Sequence, residues 1–337
     1  SAKIELKLAP VSNENGVETY SAAVPASAPE ALYDLKVRFD NNRLDAQPHA
    51  VKAIKEFKKD FDFVQITDIH FNVQDIEGQD MNRIRRRILD DASKEKAEFI
   101  ILTGDLGLDP ETYDRDYLYS YPEMTAHVRL PIYIVPGNHE QYYAKLADGG
   151  EIDGVQYWTA NYGPSHHSFD YGNVHFIGIN DFDWPREWRD RRDHTVVFSG
   201  SIINAYISPE QWQWIKTDLD SAHKRGLSCI AYTHIPVSLL QGGRRIGVPP
   251  KQFNVPGPGT KEFADTLGGD GCAYIFLGHM HYNRENPLGG GLTEVLTSAA
   301  GITLGKDQKE WMYRIIHVRD GKVTGWEDRK IGFGDLK

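Results

Sequence analysis

Cysteine, long apolar runs and positive charge are all in short supply in this 337-residue chain. Its two cysteines, Cys229 and Cys272, sit inside apolar runs. Packing as buried free thiols accounts for them better than a disulfide or a ligand pair, and they say little about redox compartment. No apolar stretch approaches the ~20 residues a helix needs to cross a bilayer, and no signal peptide or lipidation motif is visible. Lysine and arginine number 38 against 48 aspartates and glutamates, a formal net charge of −10. Holding nucleic acid or anionic membrane by bulk electrostatics needs a basic face that releases counterions, so such partners are disfavoured, although a local basic pocket is compatible with the composition. Internal repeats and low-complexity tracts are missing too.

What is present suits one large domain, or a large one with a small companion. Hydrophobic residues make up 40% and charged ones 26%, an ordinary globular balance. Residues 1–48 differ in texture from the rest. Alternating patterns in Lys3–Leu8 and Leu32–Phe39, with an Asn15–Gly16 turn signal between them, predict a small antiparallel β unit. It is too short to bury a core alone, so it is expected to dock on the main domain (49–337) or to be the tail of a larger N-terminal module. A module of the adhesion or cell-envelope type, with Ser1 rather than Met at the start, favours a periplasmic or extracellular location over a cytoplasmic one.

The main domain reads as α/β. From Phe61 to Val135 the order is strand, helix, strand, helix, strand, which predicts parallel pairing with all strand C-termini on one rim. The first helix is expected over Asn82–Lys96, its Arg83, Arg85, Arg86 and Arg87 paired with Asp90, Asp91, Glu95 and Glu98 on a solvated face. A hairpin is expected around Tyr171–Gly172–Asn173, and a helix after Ser208–Pro209 with a capping-box Gln211. Asp181–Val197 and Gln241–Thr260 read as long loops, and Met312–Val318 with Val323–Trp326 as a closing hairpin turned at Asp320–Gly321.

Five apolar runs end in polar chemistry. Phe61–Ile66 runs into Asp68 and His70, Phe99–Leu102 into Asp105, and Ile132–Val135 into Asn138, His139 and Glu140. Ser228–Tyr232 runs into His234, and Ala273–Leu277 into His279 and His281. Asp68, His70, Asp105, Asn138, His234, His279 and His281 together offer carboxylates, one amide oxygen and four imidazoles, with no thiolate. Such a set suits Mn, Fe or Zn better than Ca or Mg. With one shared carboxylate it suits two ions about 3.5–4 Å apart, the arrangement used for in-line displacement at phosphorus. Asp68/His70 and His279/His281 are i, i+2 pairs, which on an extended backbone share a face. Gly104, Gly137 and Gly278 let the chain turn where strand gives way to loop. A single Asp-x-His or strand-end His is more often structural; five such blocks in one chain point to a metal site.

These blocks, in the order Asp68-Ile69-His70, Gly104-Asp105, Gly137-Asn138-His139-Glu140, His234 and Gly278-His279-Met280-His281, resemble the signature of the calcineurin-like metallophosphoesterases. The resemblance covers Phe61 to the C-terminus. It implies a four-layer α/β/β/α sandwich with two mixed sheets, preceded here by the small β-rich unit. It further implies that Asp68, His70 and His281 hold one ion, Asn138, His234 and His279 the other, and Asp105 bridges. A metal-bridging hydroxide would attack a small phosphomonoester or phosphodiester, and His139 would protonate the leaving oxygen. The chain departs from the purple acid phosphatase pattern, having His70 and no tyrosine among Leu106–Leu108. It also departs from the phosphoprotein phosphatase pattern, with Leu108, Asp109 and Pro110 where that branch carries an aspartate and an arginine.

Tyr142, Tyr143, Arg244, Arg245, Tyr282, Asn283 and Arg284 are candidate substrate contacts, because arginine beside a dimetal site suits phosphate. Ordinary surface polarity is the competing reading for each. Trp184 and Trp188 read as loop staples rather than base-stacking platforms. Two other functions stay open: a nuclease of the same superfamily, disfavoured by the acidic charge, and a metal-stabilised binding module without turnover, disfavoured by the non-ligand His139.

Overall fold

The structure, a computed structural model, describes residues 3–14, 17–71, 80–107, 109–249, 251–302 and 309–336. The Asn15–Gly16 turn and Leu108 lie outside them. The chain divides into two compact units, Ser1–Phe57 and Lys58–Lys337.

The first unit holds two antiparallel pairs, Leu8–Glu14 with Val17–Ala22 and Ala31–Arg38 with Leu44–Ala53. The alternating stretch before Leu8 is not a strand; pairing starts at Leu8, opposite Ala22. The boundary expected at 48 falls inside Leu44–Ala53. None of the described residues of this unit is buried, as two-stranded sheets this small leave every side chain within reach of water.

The second unit is built on two mixed sheets. The first runs Lys322–Gly332, Glu310–Arg319, Phe61–Ile66, Ile100–Thr103, Ile132–Val135, its last three strands parallel. The second runs His167–Tyr171, Val174–Gly178, Ser228–Tyr232, Cys272–Leu277, Leu292–Leu296, Arg284–Gly289, with four parallel strands between antiparallel edges. Strand alternation divides each strand's apolar residues between two cores. In the first sheet, Val64 and Ile66 face helix Met81–Ala92, meeting Ile84, Ile88 and Leu89. Phe63 points the other way, its ring centroid 5.4 Å from Phe176 and 5.9 Å from Phe276 of the second sheet. That sheet's far face, Ile177, Ala231, Ile275 and Leu277, packs on Trp212, Ile215 and Leu219 of helix Pro209–Lys224 and Phe263 and Leu267 of helix Thr260–Gly269. The result is the four-layer α/β/β/α sandwich. Each buried aromatic contributes about 1.5–3 kcal/mol of hydrophobic stabilisation.

Gln65 is a buried polar residue between the sheets. Its amide donates to Thr103 Oγ1 and Leu277 O, each at 3.2 Å, and accepts from Thr297 Oγ1 at 2.7 Å. It ties the two sheets together just below the rim where the parallel strands end, and its partners satisfy the buried amide.

Several local expectations need correction. Helix Met81–Ala92 is shorter than Asn82–Lys96, capped by Asp80 and ending at Ser93. Its arginines do not form one solvated face. Arg87 pairs with Asp91, but Arg86 reaches Glu123 on the next helix. Arg85 is buried, donating to Ile69 O at 2.9 Å and Gly301 O at 2.7 Å. Gln211 does not close a capping box; its amide binds both the N–H and the C=O of Asn180. The segments expected as loops hold the turn Arg186–Trp188, the start of helix His194–Ser199 and the hairpin Arg245–Val248/Lys251–Asn254. The closing hairpin extends to Glu310–Arg319 and Lys322–Gly332. Cys229 and Cys272 are buried free thiols.

His175 gives the fold a pH dependence. It is buried between Asp170 Oδ1 at 2.7 Å and Asp218 Oδ2 at 2.9 Å, with Arg225 also on Asp170. Burial opposes the charged ring, but the Asp218 and Asp170 carboxylates outweigh it and raise its pKa. A group raised on folding stabilises fully below its unfolded value near 6.5, and that stabilisation fades as pH rises through the folded value. His175→Gln should therefore lower the melting temperature most at acidic pH, by about 2 °C or more at pH 5.5, with the gap closing as pH rises through the raised folded value. A gap independent of pH would show that the ring is not charged in the fold.

Candidate metal centre

Every block named from the sequence lies at the C-terminal rim of these strands. The i, i+2 pairs do not converge by extended alternation, however. Asp68 (φ 51°), His70 (φ 46°), Asp105 (φ 54°), His279 (φ 68°) and His281 (φ 56°) are all left-handed. Non-glycine residues adopt that region at a cost of about 1–3 kcal/mol each, and such outliers gather at functional sites. Cross-loop hydrogen bonds hold them there: Asp68 N to Gly104 O, His70 N to Asp105 O, and Gly301 N to Asp68 O. Asn138 and His139 instead begin a short helix, Asn138–Gln141.

The donor atoms form two groups of three close enough to share a cation, Asp68 with His70 and His281, and Asp105 with His234 and His279. Asp105 Oδ2 stands between them, 3.4 Å from His70 Nε2 and 3.2 Å from His234 Nε2. Asn138 joins the second group, its Oδ1 lying 3.1 Å from both His234 Nε2 and His279 Nδ1. Its Nδ2 donates to the Tyr142 hydroxyl at 2.5 Å, which turns the amide oxygen toward the imidazoles. His234 Nδ1 donates to Thr103 O at 2.7 Å, which leaves Nε2 facing the centre. Asp68 Oδ2 accepts from Thr67 Oγ1 at 2.7 Å and His279 N at 3.0 Å. Asp68 Oδ1, both ring nitrogens of His70 and His281 Nδ1 are buried with no hydrogen-bond partner among the described residues. Buried polar atoms are rarely left so, and a bound cation satisfies them. Carboxylates, imidazoles and one amide oxygen also make a donor set that fits transition metals.

The charges are strongly coupled. Burial opposes ionisation of Asp105, but His234, His139 and His70 hold it well below the usual carboxylate range. Burial likewise opposes a charged His234, yet the Asp105 carboxylate raises it to about 10. Burial and the neighbouring His234 press His279 down to about 3.

Glu140, quoted in the sequence block without a role, organises the loops. Its buried carboxylate accepts from Asp105 N (2.9 Å), Gly107 N (2.9 Å) and Gly137 N (2.8 Å). Arg85 does the same for the first group by tying Ile69 O to Gly301 O. Of the three glycines, only Gly104 is left-handed (φ 81°); Gly137 and Gly278 are required by space. A Cβ on Gly278 would lie 1.9 Å from Thr67 Oγ1 and 2.3 Å from Asp68 Oδ2. Gly278→Ala is accordingly expected to displace Asp68 and cost one ion per chain, read by elemental analysis of the purified variant; two ions retained would show that the loop yields.

Of the candidate substrate contacts, Tyr142 comes against the centre, its ring centroid 5.2 Å from His139. Tyr143 is turned away, under the Arg186 guanidinium at 5.0 Å. Arg244 and Arg245 are exposed and bond to Gln241 and Gln252 beside or on the hairpin. Asn283 is spent on Asp328 and Ser298, Arg284 opens an edge strand, and Tyr282 is exposed beside His281. Trp184 and Trp188 are buried, stacking on Tyr206 and packing near Phe253. Sequence reasoning missed Arg191, which lies over Tyr142 and pairs with Asp109. A charge-dense loop beside the rim was its only signal.

Solved structures that share the fold include two phosphatases. A dimetal phosphatase from Danio rerio superposes with a TM-score of 0.53 at 15% identity, over 81% of this chain and 99% of that one. A purple acid phosphatase from yellow lupin (Lupinus luteus) seeds superposes with a TM-score of 0.52 at 13% identity, over 90% of this chain and 60% of that one. No curated protein sequence matches the chain. The sequence model of the calcineurin-like phosphoesterases matches residues 61–283, which run from the first strand of the sandwich past the last of the clustered histidines. On that match the chain belongs to the calcineurin-like phosphoesterase family.

Proposed function

We propose that this phosphoesterase hydrolyses a small phosphomonoester or phosphodiester at a dinuclear centre of Mn, Fe or Zn, with His139 as general acid. Asp68, His70 and His281 would hold one ion and Asn138, His234 and His279 the other. The reading rests above all on one oxygen, Asp105 Oδ2, within 3.4 Å of an imidazole nitrogen from each group; one carboxylate can serve both. Ions held there supply Lewis acidity toward phosphoryl oxygens and activation of the attacking water.

The chain's own residues do the rest. His139 belongs to neither group, yet its backbone N–H donates to Asp105 Oδ1 at 3.2 Å and its ring stands 5.0 Å from that of His70. Its side chain is 24% exposed, so its ring can meet an incoming ester and deliver a proton to the leaving oxygen. Tyr142 and Glu140 keep Asn138 and the Asp105 loop in place. The net charge of −10 disfavours the nuclease alternative.

The test is chelator-stripped protein reloaded separately with Mn, Fe or Zn and assayed on a chromogenic phosphomonoester and phosphodiester. Metal-dependent turnover is expected, and the ratio of rates assigns the ester class. Two bound ions without turnover of either ester would favour a binding module.

A further inference from the structure

Arg191 packs against a residue of the centre without being one of its donors. Its guanidinium carbon lies 5.4 Å from the Tyr142 ring centroid. That ring is in turn 5.2 Å from the His139 ring, and its hydroxyl is held by Asn138. Arg191 is therefore one aromatic ring removed from both the general acid and a metal-binding amide. Its neighbours on the same segment have other work. Arg189 is buried on Asp153, Trp184 O and Gln141 O, Arg192 donates to Lys145 O, and Arg186 pairs with Glu151.

The Arg191 side chain is 39% exposed, and its carboxylate partner Asp109 is 7% exposed. Asp109 is itself fixed, accepting from Glu111 N at 3.0 Å while its own N–H donates to Asp116 at 2.8 Å. A guanidinium carries five N–H donors in a rigid fork, more than one carboxylate takes up, and such a fork suits carboxylate or phosphate. Further along the same segment, Ile202 O approaches Asn138 Nδ2 at 3.5 Å, which brings this segment against the centre a second time.

Resting on the reading of His139 as the acid that meets the leaving oxygen, we propose that Arg191 receives an anionic substituent on the leaving-group side. The enzyme then prefers phosphoesters whose alcohol carries a second negative charge, a carboxylate or another phosphate. Asp109 orients the fork for this contact.

The alternative is a latch, in which the pair merely ties this segment to the loop after Asp105; a substrate ratio separates the two. Benzylphosphonate and 4-carboxybenzylphosphonate, which cannot be hydrolysed, are titrated calorimetrically into the metal-loaded protein. The wild type should bind the carboxylate-bearing compound about tenfold more tightly, as one charge-assisted contact provides. Arg191→Gln should bring the ratio to within about twofold of unity, and Arg191→Glu should invert it. A wild-type ratio near one, or a ratio that survives Arg191→Gln while both affinities fall together, overturns the proposal. Metal-dependent turnover with a ratio of one overturns this inference and leaves the phosphoesterase reading intact; binding of neither phosphonate, with no turnover, overturns both.

Discussion

Asp105→Asn should remove turnover and metal together. The substitution keeps an oxygen to accept His139 N–H at Oδ1, now 3.2 Å away. It takes away the charge and one of the two oxygens. Oδ2, 3.4 Å from His70 Nε2 and 3.2 Å from His234 Nε2, would become an NH₂ facing nitrogens that must turn lone pairs inward to bind a cation. Both groups of donors would then lose the one carboxylate oxygen that lies within reach of each. Since metal catalysis is worth several kcal/mol of transition-state stabilisation, kcat/KM on a phosphomonoester should fall by roughly 10³-fold or more. Metal content should drop below two ions per chain by elemental analysis. A variant that keeps two ions and most of its rate would show that Asp105 is not shared.

His139→Ala should part activity from metal content in the opposite way. No ligand atom is lost, so both ions should stay bound, while kcat falls by about 10²- to 10⁴-fold, the usual worth of general-acid catalysis. The loss should depend on the leaving group. An alkyl phosphate needs its departing oxygen protonated and should show the full effect. A 4-nitrophenyl ester, whose phenolate leaves without help, should show much less. Equal losses on both esters would mean that His139 positions substrate rather than donating a proton, and metal loss with the rate unchanged would sink the assignment.

The candidate site was largely legible because strand periodicity and ligand chemistry are both local. Apolar runs such as Phe61–Ile66 and Ser228–Tyr232 mark buried strands, and parallel pairing within each sheet, with the two sheets packed face to face, brings their ends to one rim. What held those ends was not legible. The left-handed backbone at Asp68, His70, His279 and His281 depends on cross-loop bonds such as Gly301 N to Asp68 O, between residues far apart in sequence. Glu140 and Arg85 look like ordinary charged residues until their carboxylate and guanidinium meet backbone atoms from two loops. The same holds for Arg191, whose importance comes from Tyr142, a residue on a different loop. The hairpin Arg245–Val248/Lys251–Asn254 was hidden by flanking glycines and prolines that mark turns. At the N-terminus, the alternation in Lys3–Leu8 promised a strand, but alternation without a pairing partner does not make one.

The most direct test of the shared-carboxylate centre is electron paramagnetic resonance of metal-stripped protein reloaded with Mn(II). Two ions that share Asp105 should give an exchange-coupled spectrum at two Mn per chain, and Asp105→Asn should convert it to that of isolated Mn(II) at lower occupancy. An uncoupled Mn(II) signal from the fully loaded wild-type protein, or saturation at one ion per chain, would contradict it.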